Sequence, residues 1–558
     1  MNRLRRVVNN TIISLVGQLV TWISTLLLTI AYGRFLNVVD FGELYFAITF
    51  VALIGFPIEF GFNQQITRDV AQEPDKALRY LSNTLFIKVL LWLVFYALIL
   101  LAAWRLGYNP QVLTLVAICG VTLLSGSITN TFISSHYAFE RVTYPVIGTI
   151  LEKGLGALFG FIILKQGASV ELMALVLLGG SLANGMWQAI WFFRLVGTSF
   201  AINWNIMREL VRSSIPFLTY GVLGVIYYRL DTVLLSLMTN AAVVGWYGAG
   251  YRLFDTLVFL PSLVISAIMY PVFSKLSVSS QADLKVAIEK SLNFLLFCGL
   301  PIATALVAAA PNIIGFLYHR PDYINTFPVL QALAPGLVFL YINAVLSAIL
   351  MSTKQEKKIT LMAGAALVFN LMLNLILIPR YQHVGAAVVT SLTELLLVGM
   401  ALTFIPRHLM PIGSLLVGGK ALLASLIMAL VITMIHTLSI FIILPVAMLI
   451  YFAAAILLRT IPRNDLQALY GAVRRKANSP IAQASVEQAG PALGPQARIE
   501  EVITIRLPRV SLPIPEYLPQ PLSQEDEEEQ ITVKLPRLKK VIVPEKNVVP
   551  EVEQLEVG

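Results

Sequence analysis

Apolar runs of about 20 residues, the length a helix needs to cross a bilayer, begin near residues 12, 44, 81, 111, 142, 171, 213, 243, 291, 327, 359, 384, 418 and 440. They predict about 14 transmembrane helices, with the pair after residue 411 the shortest. One run, "GVLGVIYYRLDTVLLSLMTN" (Gly221–Asn240), carries Arg229 and Asp231 well inside its span. A charge near the bilayer centre costs about 2.5–3.5 kcal/mol on insertion scales, so the run needs a reason for two of them.

Composition agrees with the runs. The 558 residues are 57% hydrophobic and 13% charged, with a mean hydropathy of +0.78, which excludes an ordinary soluble protein and implies an all-α polytopic membrane protein. The first run is too long for a signal-peptide core and lacks a cleavage site, so it reads as a retained helix. Cys119 and Cys298 both fall in apolar segments, and no histidines pair at a ligand spacing, so neither a disulfide nor a metal is implied. No soluble stretch is large enough for an active site, and the chain is expected to be no enzyme.

Basic residues set the orientation. Arg3, Arg5 and Arg6, then Arg68, Lys76 and Arg79, Arg141, Arg194, Arg208 and Arg212, Lys275, Lys285 and Lys290, Lys354, Lys357 and Lys358, Arg407 and Lys420, and Arg459, Arg463, Arg474, Arg475 and Lys476 fall on one side. The other side holds single residues: Arg34, Arg105, Lys165, Arg320 and Arg380. The alternation supports an even helix count, with both termini cytoplasmic and the protein in the cytoplasmic (inner) membrane. The net charge of +9 is thus an orienting signal and gives no reason to invoke nucleic acid.

Beyond about residue 461 the chain turns to Pro, Gln and Glu, with the acidic run Glu525–Glu529. Residues 461–558 are expected to form a largely disordered cytoplasmic tail. Within it "TIRLPRV" (Thr504–Val510) recurs as "TVKLPRL" (Thr532–Leu538). The two are either low-complexity drift or a pair of extended docking motifs for a cytoplasmic protein partner.

A second repeat lies in the membrane part. "NVVDFGELY" follows the first helix and "NAAVVGWYG" the seventh, each with Asn five residues before Gly, and each next helix carries a proline, Pro57 or Pro261. Six helices separate the two, so the halves share an orientation and are related by an axis along the membrane normal. The expected division is 1–205 and 206–410, two six-helix lobes, then 411–460 for helices 13–14.

The seventh and eighth runs carry a motif. Asp231 opens an aliphatic run, followed by Gly245-x-Tyr247, Tyr251–Arg252 and Pro271. This pattern resembles the polysaccharide (O-antigen type) flippase branch of the multidrug/oligosaccharidyl-lipid/polysaccharide exporter superfamily. "RFLNVVDFGELY" resembles the turn after that family's first helix, and "HVGAAVVTSLTELL" (His383–Leu396) the start of its twelfth. The likeness spans roughly residues 5–460, and the long tail departs from it.

Charges inside the predicted spans are the candidate chemistry: Glu59, Lys88, Glu152, Lys153, Arg229, Asp231, Arg252, Asp255 and Glu394. In an antiparallel hairpin, Arg229, Asp231 and Arg252 lie at a similar depth, roughly 13–18 Å below the turn at Asn240. One reading is a buried ion-pair cluster tying helix 7 to helix 8. The other is that an arginine, Arg252 above all, faces a cavity and binds phosphate through its forked donors. Lys88 either snorkels toward the cytoplasm or faces the cavity. Lys153, whose neighbour Glu152 points elsewhere, is the first lobe's cavity candidate. Asp231, Asp255, Glu59 and Glu394 are candidate carboxylates for structure or for coupling to H+ or Na+, with no other cofactor implied.

The resemblance implies a flippase that carries an undecaprenyl-pyrophosphate-linked oligosaccharide to the outer leaflet by alternating access, with the polyprenyl-pyrophosphate glycolipid and membrane lipids as its partners. A flippase for lipid-linked peptidoglycan precursor and a cation-coupled multidrug antiporter are the alternatives. Lys153 and Arg252 in one cleft favour a flippase; Glu59 and Glu394 in one cleft favour the antiporter. A scaffold acting through the tail is a third class.

Overall fold

The computed structural model describes residues 3–59, 61–198, 200–265 and 269–460, and only the backbone for 3–9, 11, 216–223, 259 and 263. The described chain is helical, with no strand among those residues. The predicted tail, with both of its repeated motifs, lies outside the described residues.

The first half supplies α1 (Arg3–Phe35), α2 (Val38–Gly55), α3 (Phe62–Gln72), α4 (Ala77–Arg105), α5 (Pro110–Ala138), α6 (Thr143–Lys165) and α7 (Val170–Val196). After residue 203 come α8 (Trp204–Met238), α9 (Ala241–Leu257), α10 (Phe259–Val264), α11 (Tyr270–Ser279), α12 (Gln281–Ala308), α13 (Ala310–Tyr318), α14 (Thr326–Ser352), α15 (Glu356–Phe404), α16 (Gly413–Met434) and α17 (Ile440–Leu457). Among the described residues, eleven helices are long and apolar enough to span a membrane. One of them, α15, breaks at Gln382, whose φ of 49° and ψ of −128° are not helical, and so makes two crossings. With α8 and the run α9–α11, the described residues hold fourteen candidate crossings, the number that the apolar runs predict.

Local chemistry sets the ends. Asn37, Asn109 and Asn240 cap α2, α5 and α9, each accepting the backbone N–H three residues on, a bond generally worth about 1 kcal/mol. Gly107 and Gly167 turn the chain at φ 77° after α4 and α6. Pro57 sits in a 3-10 turn, Phe56–Ile58, that ends α2 early. In lipid every backbone group must find its partner within the protein, and the outward faces of α1, α4, α16 and α17 carry exposed Leu, Ile and Phe that suit hydrocarbon.

Packing runs mainly within each half: α1 on α6, α5 on α7, α6 on α7, and then α14 on α15 and α12 on α14. Helix α16 packs on α12 and α17. Between the halves, α2 meets α9 and α8. Loops alternate between two ends. The end holding Arg68, Lys76, Arg208, Lys275, Lys354 and Arg407 is the basic end.

Away from the basic end the halves close on each other. A Cβ on Gly42 would run into the carbonyl oxygen of Ala241, and one on Gly245 into that of Val38. Each glycine stands five residues after its capping asparagine and meets the residue just after the other cap. Small residues let the two backbones approach this closely. Beside this seam, Val38 N–H donates to Asp322 Oδ2 at 3.2 Å, and Tyr323 Oη reaches the carbonyls of Leu36 and Asn37 at 3.4 Å each.

Candidate functional site

Among the described residues, two of the cavities between the helices carry membrane-embedded cations in their lining. The larger, about 1050 Å³, sits at the basic end and is lined from both halves by Glu59, Asn63, Asn130, Tyr228, Arg229 and Thr360, among others. The smaller, about 340 Å³, lies deeper among α1, α2, α5, α6 and α7, with Arg252 of α9 reaching in from the second half. Its polar lining includes Ser24, Thr25, Tyr32, Thr122, Glu152 and Lys153. Lys153 and Arg252 therefore share one cleft. Glu394 does not line the cavity that holds Glu59.

Of the two readings of the charges on helices 7 and 8, the ion-pair cluster has no salt bridge to support it among the described residues. Among the described residues, Arg229, Arg252, Asp231 and Asp255 take part in no salt bridge. Asp231, almost wholly buried, instead accepts from the hydroxyl of Tyr247 and from Thr232 N–H. A hydroxyl and an amide satisfy this carboxylate without using a cation, and so leave both arginines available. Arg229 lines the larger cavity, while Asp255 is exposed and lines neither of the two.

Arg252 rests on ring faces: its Cζ lies 4.9 Å from the Tyr32 centroid and 5.7 Å from that of Phe41. A guanidinium stacked this way is attracted to the ring quadrupole and is not neutralised. Its buried Nε and the buried hydroxyl of Tyr32 have no hydrogen-bond partner among the described residues. A buried donor left unsatisfied costs about 1–3 kcal/mol, and these two sit on one cavity wall.

Lys153 differs from expectation. Although adjacent in sequence, its Nζ and Glu152 Oε1 meet at 2.6 Å, because both long side chains bend into the cavity. Glu152 Oε2 also accepts from Asn184 Nδ2 at 2.8 Å. The lysine stays 44% exposed, so a second anion can reach it.

Lys88 does not snorkel. It is fully buried, and its Nζ donates to Glu59 Oε2 at 3.0 Å, Asn63 Oδ1 at 3.1 Å and the Ser127 carbonyl at 3.1 Å. These three acceptors match the three donors of an ammonium. Glu59, the other end of the pair, faces the larger cavity. Glu394 is buried, with Oε1 accepting from Tyr227 Oη at 2.8 Å and Oε2 unpartnered. Sequence reasoning missed Tyr32 and Phe41, because aromatics beside an apolar run look like core. It also missed Tyr247 as the partner of Asp231.

A bundle of membrane-length helices with cavities between them that carry Lys153, Arg252 and Arg229 in their linings is the architecture of a multi-pass membrane protein. The chain matches the model of a family described as "Polysaccharide biosynthesis protein" over residues 7–277 and that of "Lipid II flippase MurJ" over residues 171–462. The second match covers more than half of the chain, which belongs to that family of membrane flippases within the multidrug/oligosaccharidyl-lipid/polysaccharide exporter superfamily.

Among similar proteins, the probable low-salt glycan biosynthesis flippase Agl15 of Haloferax volcanii is 20% identical over 376 residues, 65% of this chain and 75% of that one. An uncharacterized membrane protein of Methanocaldococcus jannaschii, MJ1068, is 26% identical over 189 residues, 33% of this chain and only 37% of its own length. The fold is similar to a lipid II flippase MurJ in an inward closed conformation, with a TM-score of 0.68 at 17% identity, covering 82% of this chain and 99% of that one. It is also similar to an inward-facing multidrug transporter of the same superfamily, with a TM-score of 0.57 at 15% identity, covering 73% and 95%.

Proposed function

We propose that the protein moves a polyprenyl-pyrophosphate-linked oligosaccharide across the cytoplasmic membrane by alternating access, with the basic end cytoplasmic. The observation that carries this reading is the smaller cavity. It brings Lys153 of one half and Arg252 of the other to one space, with the side chain of Tyr32 in the same lining. An oxyanion satisfies all of these at once, and forked guanidinium donors match phosphate oxygens. The larger cavity adds the carboxamides of Asn63, Gln64 and Asn130 and the ring of Tyr228, which suit sugar hydroxyls and a sugar face. Arg229 stands there as a second cation. In this scheme the glycan occupies the larger cavity, the pyrophosphate the smaller, and the lipid tail stays in hydrocarbon.

A lipid-linked peptidoglycan precursor is the second reading, favoured by the MurJ family match over residues 171–462. It needs the same anion site and differs in what fills the larger cavity. The antiporter reading has less support, since Glu59 is tied to Lys88 and Glu394 lines neither cavity. Coupling to H+ or Na+ belongs to the proposal, with Glu394 and its unpartnered oxygen as the candidate carboxylate. The chain is proposed to act as a carrier without catalysis.

Lipids co-purifying with the gently extracted protein test this reading by mass spectrometry. Wild type is expected to retain a polyprenyl-pyrophosphate glycan, and the Arg252→Ala, Lys153→Ala double variant to lose it. Retention of a peptide-bearing lipid would select the second reading. Equal retention by both proteins would remove the anion site from this cavity.

A further inference from the structure

Arg252 belongs to the second half by sequence, yet its guanidinium lies among residues of the first. Tyr32 on α1 and Phe41 on α2 give it two ring faces, and both rings are fully buried. The shelf is itself part of the seam that closes the bundle away from the basic end. Phe41 packs edge-on against Tyr318 and Tyr323, with centroids 6.5 and 6.1 Å away. Those two tyrosines stack on each other at 4.6 Å. They come from α13 and the turn after it, in the second half, and Tyr323 reaches back to the carbonyls of Leu36 and Asn37. The arginine, its shelf and the closed seam thus form one packed unit.

We infer that Tyr32 and Phe41 are positioning residues that seat Arg252 beside Lys153 only while this seam is closed, so that the anion site is whole in one state of the carrier and split in the other. The inference rests on the reading of the smaller cavity as the anion site. Its physical basis is the kind of contact that holds the arginine. A carboxylate would position the guanidinium but neutralise it and occupy its donors. Ring faces attract the cation without neutralising it, so its positive charge remains for a ligand. Lys153 rides on α6, which packs on α1 and α7 within the first half, while Arg252 rides on α9. Parting α2 from α9 therefore draws the arginine off its shelf and away from the lysine.

A ligand that needs both cations binds the closed-seam state better than the open one, and by linkage it favours that state. Binding of the phosphate from the basic end then holds the far seam shut, and opening of that seam halves the site and releases the anion. The site is its own release device. The hydroxyl of Tyr32 adds a donor to the ligand, and the ring and the hydroxyl are separable by substitution.

The experiment uses the full chain in lipid nanodiscs with Cys119→Ala and Cys298→Ala, and spin labels at Leu106→Cys and Ile324→Cys, exposed positions on loops of opposite halves away from the basic end. Undecaprenyl pyrophosphate is titrated, with inorganic pyrophosphate as a second arm to separate a lipid headgroup from a free anion. Wild type is expected to bind and to shift the label distances toward the short population. Phe41→Leu and Tyr32→Leu each weaken binding about tenfold, as loss of a cation–π contact implies, and abolish the shift. Phe41→Trp, which keeps a ring face, and Tyr32→Phe, which keeps the ring but not the hydroxyl, both keep the shift. Binding and shift at wild-type values in Phe41→Leu and Tyr32→Leu, with Arg252→Ala and Lys153→Ala both impaired, would overturn the positioning role and leave the anion site standing. Unimpaired binding by Arg252→Ala and Lys153→Ala would overturn the site itself, and the inference with it. If the leucine variants fail to fold, loss of the shift in Phe41→Trp or Tyr32→Phe overturns the role and its retention supports it.

Discussion

Lys88 has no solvent at all, and its three contacts are met by three oxygens from three segments. Removing one member of a buried pair strands the other, at about 3–5 kcal/mol. Here the cost of Lys88→Met should fall at the lower end, near 3 kcal/mol, because Glu59 keeps 23% of its side chain exposed. Thermal unfolding in detergent is expected to show a marked loss for Lys88→Met and recovery of most of it in Lys88→Met, Glu59→Gln. A double variant no more stable than the single one would show that Glu59 was already satisfied by Asn63 and Asn130. At this scale the sequence was only partly legible. It shows which charges lie in the membrane, but pairing depends on directions it does not encode. Asp231 sits two residues from Arg229 and takes its bond from Tyr247, sixteen residues away on another helix. Glu152 and Lys153, whose backbone directions diverge, meet because their side chains are long.

At the scale of elements, the apolar runs locate the helices to within a few residues in most cases. What escapes them is short: α3, and α13 with its 3-10 turn, which have too few apolar residues in a row to register as spans. Yet α13 and the turn supply Tyr318 and Tyr323, so part of the seam was invisible from hydropathy. The capping asparagines were legible, since their spacing to the glycines is a local property. Gly245→Ala places a methyl against the carbonyl oxygen of Val38, and backbone cannot move aside as a flexible side chain can. The variant is expected to prise α9 from α2. A cysteine introduced by Ser236→Cys, in the small cavity at the seam, with both native cysteines replaced, should then react faster with an impermeant thiol reagent. An unchanged rate would show that this contact does not close the bundle.

For the whole molecule, charge alternation and the even helix count carry the architecture, and the family match agrees with it. A chain ending at residue 476 should keep the lipid-retention behaviour of the full protein, since the cavities are lined entirely by earlier residues. Loss of surface-polysaccharide assembly in cells with lipid retention intact would assign the tail to a partner, whereas loss of retention itself would place the tail in the transport cycle. The sugars of the proposed substrate were not legible, because carboxamides and an aromatic ring meet many glycans equally well.

The contact of Gly42 with Ala241 and of Gly245 with Val38 is self-complementary. Each helix presents the surface that it receives, which is the signature of an isologous interface between the subunits of a two-fold dimer. A polypeptide of half this length, carrying either version of the Asn–Gly turn, would hold the two surfaces of this glycine contact and could form it with a second copy of itself. The covalent link between the halves is then what allows them to differ, so that one can contribute the arginine and the other the rings beneath it, a division of labour that two identical subunits sharing one central site would be unable to make.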